Sequence, residues 1–520
     1  MMGKLIRWLP QWGTKTLQIC LGFVVGIGIG GGIEYNPYLG NHTYAQGVYG
    51  GGELTPCETG PVPVYEIAGT YEPEQRDLKG HMQLHVPANL LEAQGDSVFL
   101  RLYPNVFYHW KYENSLRPAT PGFLTPHNVK INGQNAAIKL YQDGTILQVH
   151  LPQQIRGTTL NIEMDYHLRI PERGVRLSQD GKTAILSEWY PMLAVRDQNG
   201  WHLDPYKPES EFYTRAADYH VSLKVPSGYR VISTGRNPEP SENAARISSY
   251  RTRDFIAVIT SEYQALTSQE DGVRVHLWYQ PKYRELAQSL QHTVVSSLCF
   301  FSEKFGAYRD EITDELDIVL DSSRTNPGNA GGIEHPGLST VHTRVKPEGP
   351  LSDVKTVLST NAAHEVAHQW WYGFVGNDQI REAWLDEGLT RFSEALYMKN
   401  VEGKENTLDF IRQMVSLADE KGAGKEEAPT GDPSFDKLTK EIMEYDRPAM
   451  MMFDLATAVG GMDELLGILK KYHIQYRHKI ATGCDFIRFV EYKSGKDLKY
   501  IFKKWLYRLP KGCSLENEKQ

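Results

Sequence analysis

The chain has 520 residues, more than a single hydrophobic core normally organises, so two or more domains are expected. An apolar fraction of 40% with 10 Trp, 29 Tyr and 17 Phe supplies sizeable cores and excludes a largely disordered protein. The formal net charge is −8 and no lysine or arginine cluster is interleaved with aromatics, which excludes a surface that tracks a phosphate backbone; no nucleic-acid partner is expected.

In chain order, Lys4, Arg7 and Lys15 precede the apolar, glycine-rich run from Leu17 to Ile33. A basic flank before a run of that length has the form of a membrane anchor or a long signal sequence. Residues 1–35 are expected to be an uncleaved single anchor with the bulk of the chain outside the cytoplasm; the alternative is a cleaved signal and a secreted protein. Residues 36–62 are rich in Gly, Tyr, Asn and Pro, hold no sustained period, and read as a linker. The five cysteines, Cys20, Cys57, Cys299, Cys484 and Cys513, are widely spaced without a CxxC pair. They form neither a zinc knuckle nor a dense disulfide framework, and a single bridge such as Cys57 to Cys513 is neither implied nor excluded.

Residues 63–281 carry the period of half-buried strands. Leu147, Val149 and Leu151 alternate with polar residues, as do Tyr219, Val221, Leu223 and Val225. Asn132-Gly133, Asp143-Gly144, Asp180-Gly181 and Asp271-Gly272 supply the positive-φ residues of tight hairpins, so this is predicted to be an all-β domain. After about Tyr283 the period becomes helical, with Leu286, Leu290, Val294, Val295 and Leu298 on one face and similar patterns at 465–476 and 498–505. Residues 316–321 read as a buried strand, so residues 282–510 are predicted to be a mostly helical domain with a small sheet, followed by a tail at 511–520.

Within that second domain, Asp353 or Ser352 is an N-cap, Val354, Val357 and Leu358 form an apolar stripe, and no Pro or Gly intervenes before Gly373, which predicts one helix over 353–372. His364 and His368 then project from one face, one turn apart, where two imidazole nitrogens reach one zinc ion; Glu365 beside them is placed to take a proton from water. Eighteen residues separate His368 from Glu387, at the start of a second helical pattern. A carboxylate there completes a two-His, one-Glu ligand set with an open position, the catalytic arrangement for one Zn2+ per chain. Glu394, two turns along the same face, is placed to hydrogen-bond a ligand histidine.

The arrangement His364-Glu365-x-x-His368, eighteen residues, Glu387 resembles the gluzincin zinc peptidases, and specifically the membrane alanyl aminopeptidase family. Gly331-Gly332-Ile333-Glu334-His335 is similar to that family's exopeptidase signature Gly-x-Met-Glu-Asn, and Tyr445-Asp446-Arg447-Pro448-Ala449 to its Tyr-x-Lys-Gly-Ala. Trp189-Tyr190-Pro191 and Thr234-Gly235 sit where its β domain carries similar landmarks, and the likeness covers roughly residues 64–510. It implies an α+β multidomain protein, an N-terminal all-β domain followed by a thermolysin-like zinc-peptidase domain, that removes N-terminal residues from peptides.

By the same resemblance, Glu334 offers a carboxylate to the α-ammonium of a free-amine peptide, Gly331 and Gly332 leave room for the substrate strand, and Tyr445 donates to the oxyanion. Departures are His335 for Asn, Arg447-Pro448 for Lys-Gly and Asp386 for Asn before the third ligand. With the sequence ending at Gln520 no long helical C-terminal domain follows, so an open site is expected. The rivals are a thermolysin-type endopeptidase, disfavoured by Glu334, and a catalytically silent peptide-binding module, disfavoured by the presence of Glu365, Glu387 and Tyr445.

Overall fold

The computed structural model describes residues 60–90, 95–112, 114–152, 159–206, 211–238, 244–310, 313–322, 331–343, 353–420, 441–506, 510 and 513. The expected anchor or signal over residues 1–35 and the linker up to residue 59 lie outside the described residues, as does Ser352. Among the described residues no helix is long and apolar enough to cross a membrane.

The alternating segments form the expected β domain. Its main sheet runs, edge to edge, through Ala245–Thr252, Ala217–Lys224, Val64–Glu72, Asp77–Val86, Leu160–Arg169, Phe123–Ile131 and Gln134–Asn135. Only the pairing of Val64–Glu72 with Ala217–Lys224 is parallel. Period-2 alternation sends Ile67, Leu78, Met82, Met164 and Val221 to one face, where they pack with Trp189 and Tyr190. Asn132 and Gly133 have φ of +47° and +81°, the two positive values that a type I′ hairpin demands and that Asn and Gly accept with least strain.

One boundary differs from the sequence reading. Gln264–Glu270 and Val273–Tyr279 do form a hairpin at Asp271-Gly272, but Val273–Tyr279 pairs parallel with Glu315–Asp321. Both strands therefore belong to the five-stranded sheet of the helical half, whose other members are Leu338–His342 and the edge strand Gly332–Ile333. The division expected at 281/282 falls instead between Thr260, in the last β-domain strand, and Gln264. Alternation identifies a strand; the sheet it joins is set by pairing across a long crossover, which leaves no local signal.

Helix α1 (Arg284–Phe305) buries Leu290, Val294, Leu298, Phe301 and Phe305. Helix α2 (Val354–Ala367) begins at Asp353, whose side chain accepts from the Thr356 N–H at 2.9 Å. It stops at Ala367 with His368 as C-cap, not at residue 372 as expected. The N–H groups of Gly373, Phe374 and Val375 reach back five residues to the carbonyls of His368, Gln369 and Trp370, and Tyr372 sits at φ +102°. Burial of Trp370 and Trp371 in the core drives this tight turn, which overrides the absence of a breaker. Helix α3 (Glu387–Asn400) follows, then helices Asn406–Glu420, Arg447–Val459, Met462–Tyr476, Gly483–Ser494 and Lys499–Leu506. Cys484 is bridged to Cys513, with Cα atoms 5.4 Å apart.

The two halves share an apolar seam in which Ile185, Ile232, Ile256 and Val258 of the β domain meet Trp278, Val319 and Leu338 of the five-stranded sheet. Beside it the buried Arg253 guanidinium donates to the carbonyls of Tyr372 at 2.6 Å and Phe374 at 3.2 Å, the second of which also accepts from the His478 N–H at 2.6 Å.

Candidate active site

Helices α2 and α3 bring the three proposed ligands together. The i, i+4 spacing places His364 and His368 on one face of α2 and at its C-cap, their Nε2 atoms 3.1 Å apart. Glu387 opens α3, and its Oε2 lies 3.3 Å from each Nε2. The triangle has edges of 3.1, 3.3 and 3.3 Å. Ligands held tetrahedrally at 2.0–2.1 Å from one ion would be about 3.3 Å apart, so the donor set fits zinc.

The outward ring nitrogens are held by acids. Glu394 Oε2 lies 3.0 Å from His364 Nδ1, and Asp386 Oδ1 lies 2.9 Å from His368 Nδ1. A carboxylate at Nδ1 keeps the proton there and turns the Nε2 lone pair inward, toward a cation. Arg391 in turn donates to both oxygens of Glu394, at 2.8 and 2.9 Å, and to Asp446 at 3.1 Å, which keeps Glu394 ionised in a buried position. Burial opposes a charged ring, yet hydrogen bonding to Glu387 and Glu394 raises His364 to about 9, and Asp386 and Glu387 hold His368 well above the usual range. A pocket whose carboxylates pull protons onto both imidazoles is short of positive charge, the deficit a divalent ion fills.

The remaining predicted residues converge on the same point. Glu365 is buried, its Oε2 has no hydrogen-bond partner, and burial pushes its carboxyl up to about 7. Gly332 explains how it is accommodated: a Cβ there would lie 2.5 Å from Glu365 Oε1 and 2.2 Å from the Thr340 carbonyl. Gly331 is equally tight against Asn361, at 2.5 Å. Glu334, buried, has a carboxylate within 4.8 Å of those of Glu387 and Glu211. Tyr445 lies in the π-helical turn Ile442–Asp446, a rare geometry that recurs at functional sites. Its ring stacks on His364 and its hydroxyl donates to Glu387 Oε1 at 2.6 Å. Burial and Glu387 both raise Tyr445 far above the usual phenol range, so it stays a donor.

Sequence reasoning missed several members. Asp386 stood out only as a departure, and Arg391, three residues before Glu394 and paired with it, did not stand out at all. From the β domain, Arg176 pairs with Glu211 at 2.6 Å and its field also reaches Glu334. Arg176 and Glu188 hold φ of +65° and +49°, strained for such side chains. No motif or period marks these positions.

Residues 293–505 match the Peptidase family M1 domain. Relatives include the protein called aminopeptidase N of Streptomyces lividans, 26% identical over 56% of this chain, and that of Lactobacillus helveticus, 24% identical over 74%. The chain spans 35% and 46% of their lengths. The M1 zinc metallopeptidase of Deinococcus radiodurans has a similar solved structure, with a TM-score of 0.57 and 15% identity, covering 86% of this chain and 95% of that one. The described residues thus share the fold of that neighbour, a β-rich half followed by a helical one.

Proposed function

We propose that the chain is a zinc-dependent aminopeptidase, and the observation that carries this reading is the Glu334 carboxylate within 4.8 Å of the Glu387 carboxylate. A carboxylate so close to the ligand set anchors the α-ammonium of a peptide one residue from the bond presented for attack, which restricts cleavage to the first residue. Glu211, paired with Arg176, places a further carboxyl group beside it. His364, His368 and Glu387 hold the metal. Zinc bound there supplies a Lewis acid that polarises the peptide carbonyl and makes water acidic. Glu365 takes the proton from the attacking water and delivers it to the leaving amine nitrogen, a role suited to a carboxyl near 7. Tyr445 exchanges Glu387 for the oxyanion of the tetrahedral intermediate, a partner that exists only near the transition state.

The test is mass spectrometry of one mid-length peptide, free and N-acetylated, after digestion. Stepwise loss from the amino end of the free form alone is expected, because acetylation removes the charge that Glu334 pairs. Internal cuts in both forms would mean a thermolysin-type endopeptidase, and no cleavage of either a silent binding module.

We also propose that the catalytic part faces an oxidising compartment, anchored or released through residues 1–35. The basic flank at Lys4, Arg7 and Lys15 and the Cys484–Cys513 bridge support this, since such bridges rarely persist among cytosolic thiols. Intact cells exposed to protease should lose the M1 domain; full protection in a cytosolic fraction would overturn the placement.

A further inference from the structure

Asp254, on the β domain, is bound at both carboxylate oxygens by the catalytic half. Oδ1 lies 3.2 Å from His335 Nδ1, and Oδ2 accepts from the Tyr372 hydroxyl. His335 adjoins Glu334, and Tyr372 lies four residues beyond His368. One carboxylate therefore ties together the strand end that carries Glu334 and the strained turn that ends α2, where Tyr372 holds φ +102°. Its neighbour Arg253 grips the same turn through the Tyr372 and Phe374 carbonyls. A third tie closes the arrangement: Gln369 Nε2 donates to the His335 carbonyl at 3.0 Å, and Gln369 Oε1 accepts from Gly337 N–H at 2.8 Å.

His335 continues the chain of contacts. Its Nε2 lies 3.2 Å from Ser187 Oγ, which donates to Glu188, so the ring spans from Asp254 to Ser187. Burial alone would discharge it, but Asp254 and Glu188 hold it above the usual imidazole range. Asp254, His335 and Ser187 follow the order of a hydrolase triad; all three are buried and Ser187 Oγ is already committed to Glu188, so no acyl group has access to it. What the group can do is fix position. Asn in place of His335 is too short to span from Asp254 to Ser187, which gives the departure from the exopeptidase signature a physical meaning.

We infer that Asp254 is a positioning residue that, through His335, sets the Glu334 carboxylate for the α-ammonium of the substrate. This rests on the aminopeptidase reading. Because Glu334 pairs with the ammonium in the ground state and the transition state alike, displacing it weakens both equally, which raises KM and leaves kcat in place.

The experiment compares the full chain with Asp254→Asn, which keeps shape and removes charge, and with His335→Gln, which keeps an amide N–H donor but loses the pair of ring nitrogens that spans from Asp254 to Ser187. Zinc content, kcat and KM are measured on a free-amine tripeptide. A KM at least tenfold higher, with kcat within about threefold and one zinc per chain, is expected for both. A fall in kcat alone, or native KM in either folded variant, overturns the assignment. If Asp254→Asn does not fold, His335→Gln carries the same criterion. Failure of the unsubstituted chain to trim the tripeptide would instead sink the aminopeptidase reading, so the two failures are distinguishable.

Discussion

Glu365→Gln is expected to retain one zinc per chain and to lower kcat by about 10²–10⁴-fold, or more, because the group acts twice in each turnover. The amide fills the same space against Gly332 and Thr340, so folding and the ligand triangle are left intact. What is removed is a carboxyl that burial pushes up to about 7 beside the ligand triangle; Glu387 is held far below the usual carboxylate range by the two imidazoles, and Tyr445 far above the phenol range. Tyr445→Phe should likewise lower kcat much more than it raises KM, since its hydrogen bond to the oxyanion is made only on the way to the transition state. Near-native turnover in both variants, by continuous assay on an aminoacyl-coumarin, would show that the roles are wrong.

Glu387→Ala is expected to abolish activity by abolishing metal binding. Two imidazole nitrogens 3.1 Å apart remain, but they are neutral ligands and leave the ion's charge to Asp386 and Glu394 on the far side of the rings. The native chain should also be stabilised by zinc: a ligand that binds only the folded state at a hundred times its Kd adds about 2.7 kcal/mol, and this increment should vanish in the variant. Metal content after dialysis and thermal melts with and without zinc measure both effects. Full occupancy with unchanged turnover would refute the ligand assignment.

What could be read from the residues alone was what is encoded within a few positions along the chain. A helix repeats every 3.6 residues, so His364, His368 and, two turns apart, Glu387 and Glu394 were placed on common faces without any tertiary information. Hairpins at Asn132-Gly133 and Asp271-Gly272 follow from the conformations those residues tolerate. The resemblance extended this local reading to Glu334 and Tyr445, which lie 30 and 81 residues from His364 and share no period with it.

Tertiary structure alone decided the rest. Whether Val273–Tyr279 joined the β domain or the catalytic sheet depended on a partner strand beyond α1, and the end of α2 at Ala367 on the burial of Trp370 and Trp371 and on carbonyl acceptors that Arg253 satisfies from over a hundred residues away. The acids behind the histidines and the β-domain wall of Arg176, Glu188, Glu211 and Asp254 are of the same kind. A buried ionised group is stable only beside a partner, and in the folded interior that partner is chosen by proximity in space, so nothing near Asp254 in the chain announces that it meets His335 and Tyr372.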